Sequence, residues 1–129
     1  MTAYSTPKPT ASELEILQVL WDRGPSTVRE VHQAISGKKP IGYTSVLKLM
    51  QIMTAKGTLR RNEQQRAHVY EVVQPAEKTK RQLAMDVLQR VFDGSASELM
   101  MHALAGGNTS KQEIEQLRRL LSEYERKLR

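Results

Sequence analysis

The chain has 129 residues and carries 20 lysines and arginines against 14 aspartates and glutamates, a net charge of +6. That length suits one compact domain or one domain with an appendage. With no cysteine, disulfides, thiolate catalysis and cysteine-based metal sites are excluded. No apolar run approaches the roughly 18 residues of a membrane span, and the opening MTAYSTPKPT lacks the charged-then-apolar pattern of a secretory signal. A cytoplasmic protein without direct membrane insertion is the expectation.

Four segments announce helix starts in the form S/T-x-x-E: Thr10 with Glu13, Thr27 with Glu30, Ser95 with Glu98 and Ser110 with Glu113. In that spacing the hydroxyl accepts from the third helical amide while the carboxylate reaches back to the cap amide. The first helix is expected from about Ala11 to Asp22, burying Leu14, Leu17, Val19, Leu20 and Trp21 and stopping at Arg23-Gly24-Pro25. The second follows Thr27, buries Val28, Val31 and Ile35, and stops near Gly37. After a loop carrying Lys38 and Lys39, GYTSVLKLMQIMTAKGTL predicts a third helix that ends at Gly57, with Val46, Leu49, Met50 and Met53 on its buried side.

The period then changes from helical to alternating. Residues 58–61 and 67–73 read as two strands, the second with Val69 and Val73 on one side and His68, Tyr70 and Val72 on the other. Asn62-Glu63-Gln64-Gln65-Arg66 joins them as a hairpin loop. Three helices followed by a two-stranded hairpin describe a winged helix-turn-helix over residues 1–74. Residues 75–129 read as helix only, with apolar stripes of Leu83, Val87, Leu88 and Val91, then Leu99, then Ile114, Leu117, Leu120, Leu121 and Tyr124. So short a segment cannot bury that much apolar surface alone, so a second copy is expected to cover it. The fold class is mostly α with a small β-hairpin: a winged helix-turn-helix domain followed by an all-helical dimerisation tail.

The third helix has no acidic residue, and its polar side holds Thr44, Lys48, Gln51 and Ala55. The whole excess of positive charge sits around it. Residues 36–66 hold Lys38, Lys39, Lys48, Lys56, Arg60, Arg61 and Arg66 against Glu63 alone, and the rest of the chain is balanced at 13 of each sign. Such a distribution suits a polyanion. A helix fits the DNA major groove, where Gln51 could pair with adenine and Lys48 with guanine or a phosphate. Thr44 and Ser45 near the helix start suit phosphates or a thymine methyl, and Tyr43 could hydrogen-bond a phosphate. Lys38, Lys39, Arg60, Arg61 and Arg66 are candidates for backbone contacts, which position the protein without reading bases.

Catalysis finds no support. His32, His68 and His102 are isolated, with no H-E-x-x-H, no Ser-His-Asp spacing and no glycine-rich phosphate loop. No metal or cofactor is expected. A winged helix that binds an acidic protein or RNA, without sequence-specific DNA binding, stays open as the alternative. A repressor released by a small ligand would need a pocket that no polar cluster in the sequence marks.

Several runs carry a family resemblance: TASELEILQVLWDRGPSTVREV, YTSVLKLMQIMTAKGTLRR, RAHVYEVV and EIEQLRRLL. Together they resemble the penicillinase-repressor (BlaI/MecI/CopY) family of bacterial transcriptional regulators over roughly residues 10–128. The resemblance implies a homodimer with interlocked C-terminal helices that grips a dyad-symmetric operator of the TACA…TGTA type. It further implies repression of a neighbouring operon, commonly for antibiotic resistance or copper handling. In the β-lactam branch a membrane sensor-protease cuts the repressor within its dimerisation region. Two departures stand out: the copper branch's cysteine-rich tail is missing, and Met101-His102-Ala103 stands where the β-lactam branch has its Asn-Phe cleavage step.

Overall fold

The computed structural model describes residues 8–64 and 66–129. The leader reading of the first ten residues rests mainly on residues 1–7, which lie outside the described residues, as does Gln65 of the hairpin loop. The element order is α1 (Ala11–Arg23), α2 (Val28–Ser36), α3 (Tyr43–Lys56), β1 (Leu59–Asn62), β2 (Val69–Val72), α4 (Ala76–Phe92), α5 (Ala96–Gly106) and α6 (Lys111–Lys127). Mostly helical with one antiparallel hairpin, the chain has the expected fold class.

All four helix starts are capped by the hydroxyls that the spacing singled out. The Thr10 and Thr27 amides also donate in return to the Glu13 and Glu30 carboxylates, closing the box. Ser95 and Ser110 accept from the amides of Glu98 and Glu113. At the far end of α3, Gly57 adopts φ 86°, a left-handed cap that lets the Thr58 amide reach the Met53 carbonyl at 2.9 Å. A side chain is disfavoured in that conformation, which is why glycine ends this helix.

The chain divides into two compact units, one reaching to Leu83 and the other covering Ala84–Arg129. In the first, Ile16, Leu17 and Leu20 of α1 pack with Val28, Val31 and Ile35 of α2 and Val46, Met50 and Met53 of α3. Leu59 and Tyr70 close this core from the hairpin. One expectation needs correcting. Ile16 is fully buried, whereas Leu14, Val19 and Trp21 only flank the core. Leu47 of α3 is half-buried against the core. On β2 the inward residue is Tyr70, with Val72 of the same side partly buried against the core, while Val73 is exposed.

Ser26, buried in the turn between α1 and α2, exchanges two backbone hydrogen bonds with Tyr70, at 3.0 and 2.8 Å. This bridge adds a third strand position at the base of the wing. The hairpin itself pairs Leu59 with Val72, Arg60 with Glu71, Arg61 with Tyr70 and Asn62 with Val69.

In the second unit no residue of α5 or α6 is buried. Val91, Met101, Leu121 and Tyr124 are all more than half exposed. Asp93 and Gly94, both with positive φ, end α4, and the Gly94 amide bonds to the Leu88 carbonyl. Phe92 lies against His102 with ring centroids 5.7 Å apart.

Candidate nucleic-acid interface

Helix α3 sorts its residues sharply. Val46, Met50 and Met53 are wholly inaccessible, whereas Tyr43, Thr44, Ser45, Lys48, Gln51 and Ala55 are exposed. Its N-cap is Gly42, which offers no side-chain oxygen, so the first-turn amides have no side-chain cap partner. The loop before it is anchored from α2: the His32 Nε2–H donates to the Ile41 carbonyl at 2.9 Å, and the same ring stands edge-on to Tyr43. Tyr43 is thereby held at the start of the acid-free face, 46% exposed.

Folding pairs several of the cations with acids distant in the chain. Lys39 pairs with Glu15 at 2.8 Å, Lys56 with Glu13 at 2.7 Å, Arg60 with Glu71 at 2.8 Å and Arg61 with Glu63 at 2.8 Å. Three of those acids lie outside residues 36–66, so folding reduces the charge excess that the segment carries by itself. Glu63, and after it the Tyr70 hydroxyl, hold the Arg61 guanidinium above its ordinary pKa. Lys38 and Lys39 line a hollow beside α1 with Glu15, Trp21 and Lys80. Among the described residues Lys38, Lys48 and Arg66 have no carboxylate partner.

These pairs are not equivalent. Exposed pairs such as Arg60–Glu71 contribute little to stability. Glu13 differs because its side chain is only 4% exposed and both its oxygens are engaged. One accepts from the Thr10 amide at 3.1 Å and the other from Lys56. Lys56 thus ties the end of α3 to the start of α1 and is a structural cation.

A groove of about 380 Å³ runs between α3 and the base of the wing. Thr27 and Arg29 of α2, Tyr43 and Leu47 of α3, and Arg66, His68 and Tyr70 of the hairpin line it. Arg66 was foreseen as a backbone contact; Arg29 and His68 were not. The only sequence signal for Arg29 is its place in the first turn after the Thr27 cap, and its neighbours come from distant parts of the chain. Among the described residues no group of three His, Asp or Glu side chains could hold a metal, and no helix is long and apolar enough to cross a membrane.

The model of the penicillinase repressor family matches residues 9–123, nearly the whole described chain. The protein belongs to this family. The transcriptional regulator BlaI of Mycobacterium tuberculosis, matched in two strains, is 31% identical over 115 residues, spanning 88% of this chain and 82% of that protein. Two solved structures share the fold, each at TM-score 0.51. A MarR family protein from Bacillus stearothermophilus has 19% identity over 93% of this chain and 75% of its own. The transcriptional regulator Tm0710 from Thermotoga maritima has 20% identity over 92% and 77%. The family is one of repressors and the BlaI relative is a transcriptional regulator, so as a member of this family the chain is a DNA-binding transcriptional repressor and not an enzyme.

Proposed function

We propose that this repressor acts in the cytoplasm as a homodimer and that each protomer inserts α3 into the major groove of one half of a dyad-symmetric operator. The observation that carries this reading is the outer face of α3, where Thr44, Ser45, Lys48 and Gln51 are exposed on a helix without an acidic residue. Gln51 and Lys48 are placed to read base edges, and Tyr43, Thr44 and Ser45 to hold the adjoining backbone. Lys38, Lys39, Arg60, Arg61 and Arg66 supply phosphate contacts, with the paired ones giving up carboxylates that bind them weakly.

The domain division follows the same logic, with residues 1–74 binding DNA and 75–129 forming the dimer. Exposed Val87, Val91, Ile114, Leu120, Leu121 and Tyr124, together with half-buried Leu83, Leu88, Leu99 and Leu117, are apolar surface that a second copy would cover. A membrane sensor-protease is the releasing partner under this reading. Its cut would fall on α5, whose residues around Met101 and His102 are exposed, and would weaken the dimer.

Fluorescence anisotropy on a TACA…TGTA dyad duplex and a scrambled duplex, titrated with salt, tests the reading. Two protomers each neutralising about four phosphates give a log–log salt slope near −7, at ~0.9 per phosphate. Preference for the dyad should reach about 10³-fold, the low end for specific recognition, with half-sites about one or two helical turns apart. Equal and weak binding to both duplexes, followed by no enrichment from random genomic fragments, would leave the protein-interaction reading instead.

A further inference from the structure

We infer that the groove between α3 and the wing is a backbone-phosphate site built by Arg29 and Arg66, with His68 and Tyr43 at its wall. This rests on the reading of α3 as the DNA-facing helix and adds Arg29 and His68 to the surface that grips DNA.

Arg29 and Arg66 bring positive charge to the groove beside His68, and no acid is among the described residues that line it. Neither arginine has a carboxylate partner among the described residues, and both are exposed. On the wing's first strand the situation is reversed, since Arg60 and Arg61 are each held by a glutamate at 2.8 Å. The wing therefore offers its unneutralised cation at Arg66, and α2 supplies a second at Arg29.

The neighbouring acid does not oppose this. One Glu30 oxygen accepts from the Thr27 amide at 2.8 Å, and the other faces Arg23 at 3.8 Å. Glu30 is thereby engaged with the Thr27 cap amide and Arg23. Tyr43 lines the groove and also opens α3. A phosphate seated there lies beside the first turn of the helix that reads bases. Two guanidiniums from different elements can share one phosphate through charge-assisted hydrogen bonds. Because phosphates look alike in every sequence, the site adds affinity and register but no base preference.

The test uses the full chain in the anisotropy titration on both duplexes, with Arg29→Gln, Arg66→Gln, the double variant and Arg60→Gln as comparison. Arg29→Gln and Arg66→Gln should each weaken binding about tenfold on either duplex and lower the salt slope by ~0.9 per groove engaged. The ratio between duplexes should stay as in the parent. Since both arginines converge on one phosphate, the double variant should lose less slope than the two single losses added together. Arg60→Gln should change the slope less than either. Arg29→Lys keeps the charge and should retain most of the slope, which separates lost charge from a damaged fold; matched thermal melts give the same control. A parental slope for Arg29→Gln overturns the groove assignment while the parent's dyad preference stands. Arg29 and Arg66 losses that add in full also overturn it, because they would mark two separate phosphates. A parent protein without dyad preference sinks the operator reading instead, and one that binds no DNA sinks both.

Discussion

Replacing Lys56 by methionine removes one charge from the end of α3 and keeps most of the side chain's apolar length. Its partner Glu13 cannot follow it into solvent. The carboxylate is 4% exposed, and one of its oxygens stays committed to the Thr10 amide at 3.1 Å. The other oxygen loses its 2.7 Å partner. Breaking a fully buried pair by deleting one member costs roughly 3–5 kcal/mol. Lys56 is 33% exposed, so water can reach the vacated oxygen, and we expect the smaller cost of an unsatisfied polar group, about 1–3 kcal/mol. For a domain of this size that lowers the melting temperature by roughly 4–8 °C per kcal/mol. Adding Glu13→Gln to Lys56→Met removes the stranded charge, so the double variant should lie well above the sum of the two single losses. Thermal and urea unfolding followed by circular dichroism give the cycle. A Lys56→Met protein within about 0.5 kcal/mol of the parent, or strictly additive variants, would refute the clamp. Since Glu13 already occupies Lys56, Lys56→Met should also leave the DNA salt slope unchanged.

Three further outcomes follow from particular residues. The backbone bond from Thr27 holds the Glu30 pKa below its ordinary value. Its stabilisation is therefore present above the usual carboxylate range and is lost as pH falls through the lowered value. Glu30→Gln should flatten the acid limb of the stability–pH curve, and parallel curves would count against this. Gly57→Ala forces an L-residue into φ 86° with nothing within 4 Å to obstruct it. The cost is then conformational, about 1–2 kcal/mol by denaturant titration, whereas an unchanged midpoint would mean that the turn relaxes. Leu117→Asp with Leu121→Asp would place charge in the proposed dimer seam at a cost of several kcal/mol. Sedimentation should find a monomer with no operator binding and an intact melt of the first unit, and a persisting dimer would remove α6 from the interface.

What the sequence determined alone was governed by short-range physics. The four S/T-x-x-E caps, the helical period of α1 to α3 and the stop at Gly57 depend on residues three or four apart, and each is legible where it stands. The order of elements, with an acid-free third helix before a hairpin, was enough to present Thr44, Lys48 and Gln51 as an exposed face. Tertiary structure decided what depends on distant partners. The alternation of β2 separated Val69 and Val73 from His68, Tyr70 and Val72, and only the packed structure shows that Tyr70 faces inward, paired through its backbone with Ser26. The charge excess of residues 36–66 is a property of that segment. Glu13, Glu15 and Glu71 enter it only through folding, and they bind Lys56, Lys39 and Arg60. Arg29 and Arg66 share a groove although 36 positions separate them. Caps and periods are local interactions written into neighbouring residues, while the pairing of charges depends on which distant surfaces the core brings together.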